Sequence, residues 1–457
     1  LTGDELTDAG LAQTEGVEIA KKLEATGQVD FINVLAGAPY DDLGLAGWVS
    51  PMGMASAPHL SIAGQIREAV SIPVLHAGGI ADLATARHAL KDGLVDLVGM
   101  TRAQIADPYL LQKIRLGHEE QIRPCVGLGY CVDRVNQGKQ AVCGHNAATG
   151  RETFLPHIIN KAPEAKRTVV VGGGPGGLEA ARVLALRGHQ VHLFEASDKL
   201  GGQLNLASKS SVRRQVSGVV DWLAAEVERL GVLISLNTYV DAADIEAERP
   251  DLVIIATGGW PEPLDVDGGH LAITSFDVLG GSIQPKPKLM LFDEAGDQQA
   301  AVTALALAEK GCELNFVTQD RGFFENLGPT NSAVALKHLS EHALEFLLLQ
   351  DILQIENADQ KKIVTLRHTL TGRISTHEVD DVIVENGTKP IDDLYFELKA
   401  NARNLGQLDH AALIAGKNPF QLLNPKGTYE LARVGDAISS RNMHAAILDA
   451  LRTCAFY

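Results

Sequence analysis

Apolar residues switch repeatedly between two spacings along the first 120 residues. Over 10–27 (GLAQTEGVEIAKKLEATG), 62–70 (IAGQIREAV) and 83–93 (LATARHALKDG) they recur at helical period. Between these lie runs that are apolar throughout: 31–37 (FINVLAG), 72–79 (IPVLHAGG) and 95–102 (VDLVGMTR). Buried strands joined by helices predict a parallel sheet covered on both faces. The last two runs end in polar, glycine-containing turns, HAGG and GMTR. In a β/α barrel the loops after the final strands form a phosphate site, with backbone N–H donors and an arginine as counter-charge. Gly78, Gly79, Gly99 and Arg102 are candidates for that site; the alternative is that the glycines only permit tight turns.

A second pattern begins at residue 167. The run RTVVV leads into GGGPGG, which carries Gly172, Gly174 and Gly177 at GxGxxG spacing with Pro175 among them. A helical stretch, 178–189, and a further strand, 190–196 (QVHLFEA), follow; the strand ends in Glu195. Gly172 permits the turn, Gly174 lets backbone approach a pyrophosphate, and Gly177 allows close helix packing. The helix N-terminus attracts the anion, and Glu195 stands where a ribose-binding carboxylate is expected. The expectation is a bound adenine dinucleotide or ADP rather than a bare glycine-rich turn. A carboxylate there disfavours a 2′-phosphate and so NADP.

Net charge of −17 argues against nucleic acid or an anionic membrane as partner. No apolar run has the length of a membrane span, and no signal peptide opens the sequence. Five cysteines, three of them between positions 125 and 143, suit metal ligation in a reducing compartment better than a disulfide framework. The expectation is a soluble, cytoplasmic protein of about three units, with a homo-oligomer possible. The chain opens on LTGDEL without a methionine, which suggests a fragment whose N-terminal part is missing.

GMTRAQIADPYLLQKI followed by IRPCVGLGYC resembles the end of the flavin barrel of the Old Yellow Enzyme group joined to the iron–sulfur segment of the trimethylamine dehydrogenase and 2,4-dienoyl-CoA reductase family. The resemblance covers essentially the whole chain. It implies an α/β protein: the last strands of a TIM (β/α)8 barrel carrying FMN (1–120), a cysteine loop and connector (121–165) and an FAD- or ADP-binding Rossmann-like domain (166–285). An NAD(P)-type domain (286–390) and a return to the nucleotide domain (391–457) would follow. By the same resemblance Gly78, Gly79, Thr101 and Arg102 match the FMN-phosphate loops. Gly202 and Gln203, in KLGGQLN, lie beside the dinucleotide, ATGG at 256–259 marks the crossing between nucleotide domains, and Asp436, in the terminal GD pair, bonds a ribityl or ribose hydroxyl. The strands that bring most flavin contacts, and the acids and bases of the substrate site, would precede Leu1, so no catalytic residue is assigned and the chain alone is expected to be inactive.

The family places four cysteines around a 4Fe–4S cluster. This chain offers Cys125, Cys131 and Cys143, with Leu128 where another ligand is expected. Gly127, Gly129 and Gly138 can free backbone amides for the sulfides. Either a three-thiolate centre persists, with another group or a 3Fe–4S core at the fourth corner, or the loop survives as a packed relic. Asp133 and His145 are nearby candidates for an odd ligand, and Cys312 and Cys454 read as bystanders. His76 ends a barrel strand and either faces the flavin or is a hydrogen-bonded rim residue.

In the second nucleotide domain the glycine turn is replaced by DEAGDQQ, with one glycine and three acids, which would repel a pyrophosphate. That turn resembles the amine dehydrogenase branch, nearest to the dimethylglycine and N-methylproline demethylases. The implied activity is oxidative N-demethylation of a small methylated amine, with electrons passing from FMN through the cluster to an electron-transfer flavoprotein or similar acceptor. The alternatives are an NAD(P)H-dependent dienoyl-CoA or enoate reductase and a non-catalytic nucleotide-binding fragment.

Overall fold

The computed structural model describes residues 1–457. In the first 120 residues the strands Ile32–Val34, Val74–His76 and Leu97–Val98 pair in parallel, with Ile32 opposite Val74 and Leu75 opposite Leu97. Helices Gln13–Ala25, Leu60–Ala69 and Leu83–Lys91 connect or flank them. Ala20, Val34, Ile66, Val74 and Ala89 belong to one buried core. The strands are much shorter than the apolar runs that announce them. A helix, Thr101–Ala106, starts directly after the third, so GMTR is a strand-to-helix turn. The helix Asp42–Val49, capped by Asp41 accepting from the Gly44 N–H, has no counterpart in the predicted elements.

The GxGxxG segment lies in a five-stranded parallel sheet in the order Glu430–Arg433, Leu252–Ile255, Arg167–Val171, Gln190–Phe194, Leu233–Ser235. Thr168 stands opposite Leu252, and Val171 opposite Phe194. The glycine run sits at the carboxyl end of the central strand, with neighbours on both sides. Such a position, where the strand order reverses, forms a crevice for ligands. Helix Pro175–Leu186 is buried between this sheet and helices Ser217–Arg229 and Met443–Cys454, and its core includes Leu178, Leu184, Leu223 and Ile447. The chain leaves this sheet after Leu252–Ile255 and returns to complete it with Glu430–Arg433.

The excursion builds a second parallel sheet, in the order Leu344–Leu347, Glu313–Thr318, Lys288–Asp293, Asp381–Glu385, Ile273–Thr274. An antiparallel sheet, Gln350–Ala358, Lys361–His368 and Ile374–Val379, packs beside it through Ile352, Val364, Leu366 and Val379.

The cysteine loop is held by all three units. The Met52 N–H donates to Gly127 O (2.7 Å), Asn331 Nδ2 donates to Leu128 O (2.6 Å), and Asp133 accepts from Thr330 Oγ1 (2.9 Å). Arg123 lies over the ring of Trp222 at 4.4 Å, tying the loop to the helix of the first nucleotide unit. No helix is long and apolar enough to cross a membrane.

Candidate functional site

The glycines of the first nucleotide unit are there for space as well as for backbone angle. Gly172 has φ +106°, and a Cβ there would stand 2.3 Å from Ala256 O. At Gly177 it would stand 1.8 Å from Gly172 O, whereas Gly174 faces open space. This is the cradle a pyrophosphate needs: a closed turn, an open approach and the N-terminus of the helix that begins at Pro175. Gly202 packs against Gly174, its notional Cβ 3.1 Å from Gly174 Cα, and Gln203 Nε2 donates to Asp436 Oδ2 at 3.3 Å. Burial raises the Asp436 carboxyl above its ordinary range. Glu195 closes the same crevice. Its Oε2 accepts from the Gly173 N–H (2.6 Å) and its Oε1 from the Ser197 N–H (2.7 Å) and Oγ (2.6 Å).

The fold thus brings Gly172, Gly174, Pro175, Gly177, Glu195, Gly202, Gln203 and Asp436 to one crevice, and their open glycine and two carboxylates fit an ADP moiety. Sequence reasoning missed Arg441, whose N–H donates to Asp436 Oδ1 at 3.2 Å and whose guanidinium pairs with Asp449.

Cys125, Cys131 and Cys143 are free thiols lining one pocket with Gly127, Leu128, Gly129, Arg102 and His145. Burial, then the charges of the other two cysteines, push the Cys131 thiol up to about 11. Burial also raises Cys143. No group of three or more His, Cys, Asp or Glu side chains is gathered closely enough to hold a metal ion. Soft thiolates beside glycine-freed amides are nevertheless the donor chemistry of an iron–sulfur core. They are one ligand short, because Leu128 presents only methyl groups. Asp133 does not supply the missing donor: it is buried and engaged by Thr330 of the second nucleotide unit, and Gly328 and Gly129 pack against its carboxylate. His145 is 1% exposed; its Nδ1 faces Pro124 O at 3.3 Å and its Nε2 has no partner. Cys312 and Cys454 are buried in two different apolar cores, away from this pocket.

The two turns of the first unit also meet. A Cβ at Gly78 would touch His76 Cε1 at 2.7 Å, and one at Gly99 would touch Ala77 Cβ at 2.6 Å. Gly79 has φ +71°, and its carbonyl accepts from the Ala57 N–H. Thr101 is exposed at the first position of its helix. Arg102 follows it on the same helix. Its guanidinium donates to the carbonyls of Val49 and Ser50, at 3.1 Å to the latter, and lines the thiol pocket. His76 is 1% exposed, with Nδ1 bonded to Val34 O at 2.9 Å and Nε2 unpartnered, and burial lowers its pKa.

In the second nucleotide unit the turn after Lys288–Asp293 is acidic in space as well as in sequence. Asp293 accepts from the Gly296 N–H at 2.8 Å, and burial pushes its carboxyl up to about 7. Glu385, at the end of the neighbouring strand, accepts from Ser275 Oγ and is likewise pushed up to about 7, mainly by burial.

The description "Pyridine nucleotide-disulphide oxidoreductase" matches residues 145–248 and 166–412. A "Probable N-methylproline demethylase" of Rhizobium meliloti (strain 1021) is 42% identical over 452 residues, covering 99% of this chain and 67% of that protein. An N,N-dimethylglycine/sarcosine dehydrogenase of Chromohalobacter salexigens is 39% identical, again over 99% of this chain and 67% of the relative. Among solved structures, a 2-naphthoyl-CoA reductase in complex with 2-naphthoyl-CoA superposes with a TM-score of 0.85 at 26% identity, over 100% of this chain and 64% of that one. The chain spans about two thirds of the length of these proteins.

Proposed function

Because the chain belongs to the pyridine nucleotide-disulphide oxidoreductase family, and with it to the demethylase and dehydrogenase relatives it matches along nearly its whole length, we propose that the whole protein removes an N-methyl group oxidatively from a small methylated amino acid or amine. Dimethylglycine and N-methylproline are the substrates we favour. A methyl C–H bond breaks, two electrons and a proton leave, and water adds to the resulting iminium carbon, releasing formaldehyde and the demethylated amine.

A bound flavin supplies the two-electron acceptor for such a step, and an iron–sulfur centre supplies one-electron transfer. The chain's own residues have holding roles. Residues 1–120 are read as the closing strands of a TIM barrel, with Gly78, Gly79, Gly99 and Thr101 at an FMN phosphate. Arg102 then supports that rim through the Val49 and Ser50 carbonyls. Cys125, Cys131 and Cys143 would hold a three-thiolate centre. Gly172, Gly174, Gly177, Glu195 and Asp436 would hold FAD or ADP. An electron-transfer flavoprotein or similar carrier in the cytoplasm is the acceptor we favour.

The observation that carries this direction of electron flow is the acidic turn at Asp293, Glu294 and Asp297, which is hostile to the pyrophosphate of a nicotinamide donor. The test is formaldehyde release by the whole protein from dimethylglycine or N-methylproline with an artificial acceptor. Stoichiometric formaldehyde and demethylated amine are expected. Amine left intact while an enoate is reduced at the expense of NAD(P)H would favour the reductase reading instead.

A further inference from the structure

The second nucleotide unit has a cleft of about 660 Å³ outside the carboxyl ends of three adjacent parallel strands, Lys288–Asp293, Glu313–Thr318 and Asp381–Glu385. Strand Lys288–Asp293 is flanked on one side by the strand that follows it and on the other by one far downstream, so the cleft lies at a topological switch point, where open α/β sheets place their ligands. Its chemistry is inverted relative to a dinucleotide site. Four carboxylates line it: Glu262, Asp265, Glu294 and Asp351. Glu262 pairs with Lys389 at 2.8 Å, whose charge also reaches Asp265, and Asp351 pairs with Arg367 at 2.9 Å. Glu294 and Asp265 stand at the solvent side without an ion-pair or hydrogen-bond partner.

The remaining wall is apolar, with Phe292, Leu264, Val266 and Ile352. Asn386, which follows strand Asp381–Glu385, adds an independent sign of a missing donor. Its Oδ1 is shielded from solvent and accepts no hydrogen bond. A donor entering the cleft would satisfy it. No three acids are drawn together as a metal ion requires, and the cleft is far larger than a single ion. An alkyl chain with ammonium ends matches all three features: methylenes on the apolar wall, one N–H toward Asn386, and charge toward Glu294 and Asp265.

We propose that this cleft is a binding site for an aliphatic di- or polyamine, in place of the nicotinamide dinucleotide that the fold would ordinarily accommodate. The burial-raised pKa of Glu294, reinforced by the charges of Asp351 and Glu262, is relieved when such a cation enters. The site uses neither the adenine-nucleotide crevice nor the thiol pocket, so it stands apart from the proposed demethylation.

Calorimetric titration of the purified protein with putrescine and with spermidine, at physiological salt, is the test. Saturable binding to a single site is expected, weakened at least tenfold in the Glu294→Gln/Asp265→Asn double variant and by Asn386→Ala. Lys389→Ala, which frees Glu262, should tighten it, and this exposed position serves as the second variant should Asn386→Ala impair folding. Magnesium chloride and NADH are the comparison probes. Absence of saturable amine binding, amine binding unchanged in the double variant, equal displacement by magnesium, or tight NADH binding in the same cleft would each overturn the proposal.

Discussion

Glu195 accepts three hydrogen bonds from Gly173 and Ser197, so it braces the glycine-rich turn; its proposed second role is to bond a ribose. Glu195→Ala is expected to weaken nucleotide retention by about 1.5–3 kcal/mol, the worth of a hydrogen bond to a charged group. Nucleotide released on denaturation, measured beside the melting temperature, checks this; unchanged content would make the acid a turn residue only. Leu128 makes the opposite kind of prediction. Leu128→Cys adds a fourth thiolate to the pocket of Cys125, Cys131 and Cys143 and should make the proposed centre less labile to oxygen, so that more iron and sulfide survive exposure to air. Iron and acid-labile sulfide assays on anaerobically prepared whole protein, before and after exposure to air, decide it, and near-zero values in both proteins would mean that the loop is a relic.

At this scale the sequence was legible where a backbone motif dictates position. Glu195 was singled out because it ends the second strand, and Asp436 because it follows a glycine; the structure places the first beside the glycine-rich turn and the second against Gln203. The carbonyls that hold Arg102, those of Val49 and Ser50, come from the end of a helix some fifty residues away that carries no motif, so this anchoring could not be read from the sequence. Asp133 was placed near the thiols by sequence separation, while its partner Thr330 is almost two hundred residues away.

At the scale of elements, helix Pro175–Leu186 can approach its sheet only because Gly177 has no side chain. A Cβ there meets Gly172 O at 1.8 Å, which demands backbone movement rather than a rotamer change. Gly177→Ala is therefore expected to destabilise by at least the roughly 1–3 kcal/mol of an overpacked core, with parallel loss of nucleotide. An unchanged melting curve would contradict the packing described.

The strand Lys288–Asp293 and its neighbour Asp381–Glu385 carry a pH prediction. Asp293 and Glu385 are pushed from ordinary values of 3.8 and 4.5 up to about 7, so between those limits the folded chain binds protons that the unfolded chain has released. Stability from this pair is thus fully present below the ordinary values and is lost as pH rises through about 7. Asp293→Asn should flatten the fall of melting temperature between about pH 5 and pH 8. A fall of equal steepness in the variant would remove Asp293 as its source. The parallel strands Val74–His76, Arg167–Val171 and Gln190–Phe194 were readable from their apolar runs, whereas Glu313–Thr318 and Asp381–Glu385 and the antiparallel strands Gln350–Ala358 and Lys361–His368 were not. Only alternate residues such as Ile352, Ile355, Val364 and Leu366 are buried there, and the bulge at 352–354 breaks even that alternation.

For the whole molecule, one Rossmann-like unit has an open glycine-rich turn and the other presents carboxylates in the equivalent turn. Between them and the first parallel sheet lies a loop of three thiols, anchored to all three. This order was legible in the sequence because each unit begins with its own strand-and-turn signature. The docking of the loop was not, since Asp133, Asn331 and Arg123 act through contacts made only on folding. The central claim is that electrons enter from a methylated amine and not from a nicotinamide. The most direct measurement is anaerobic mixing of the whole protein with either class of reductant while its flavin absorbance is followed. Rapid bleaching by dimethylglycine or N-methylproline, with none by NADH or NADPH, is the predicted result; rapid bleaching by NADH or NADPH with the flavin left oxidised by both amines would contradict it.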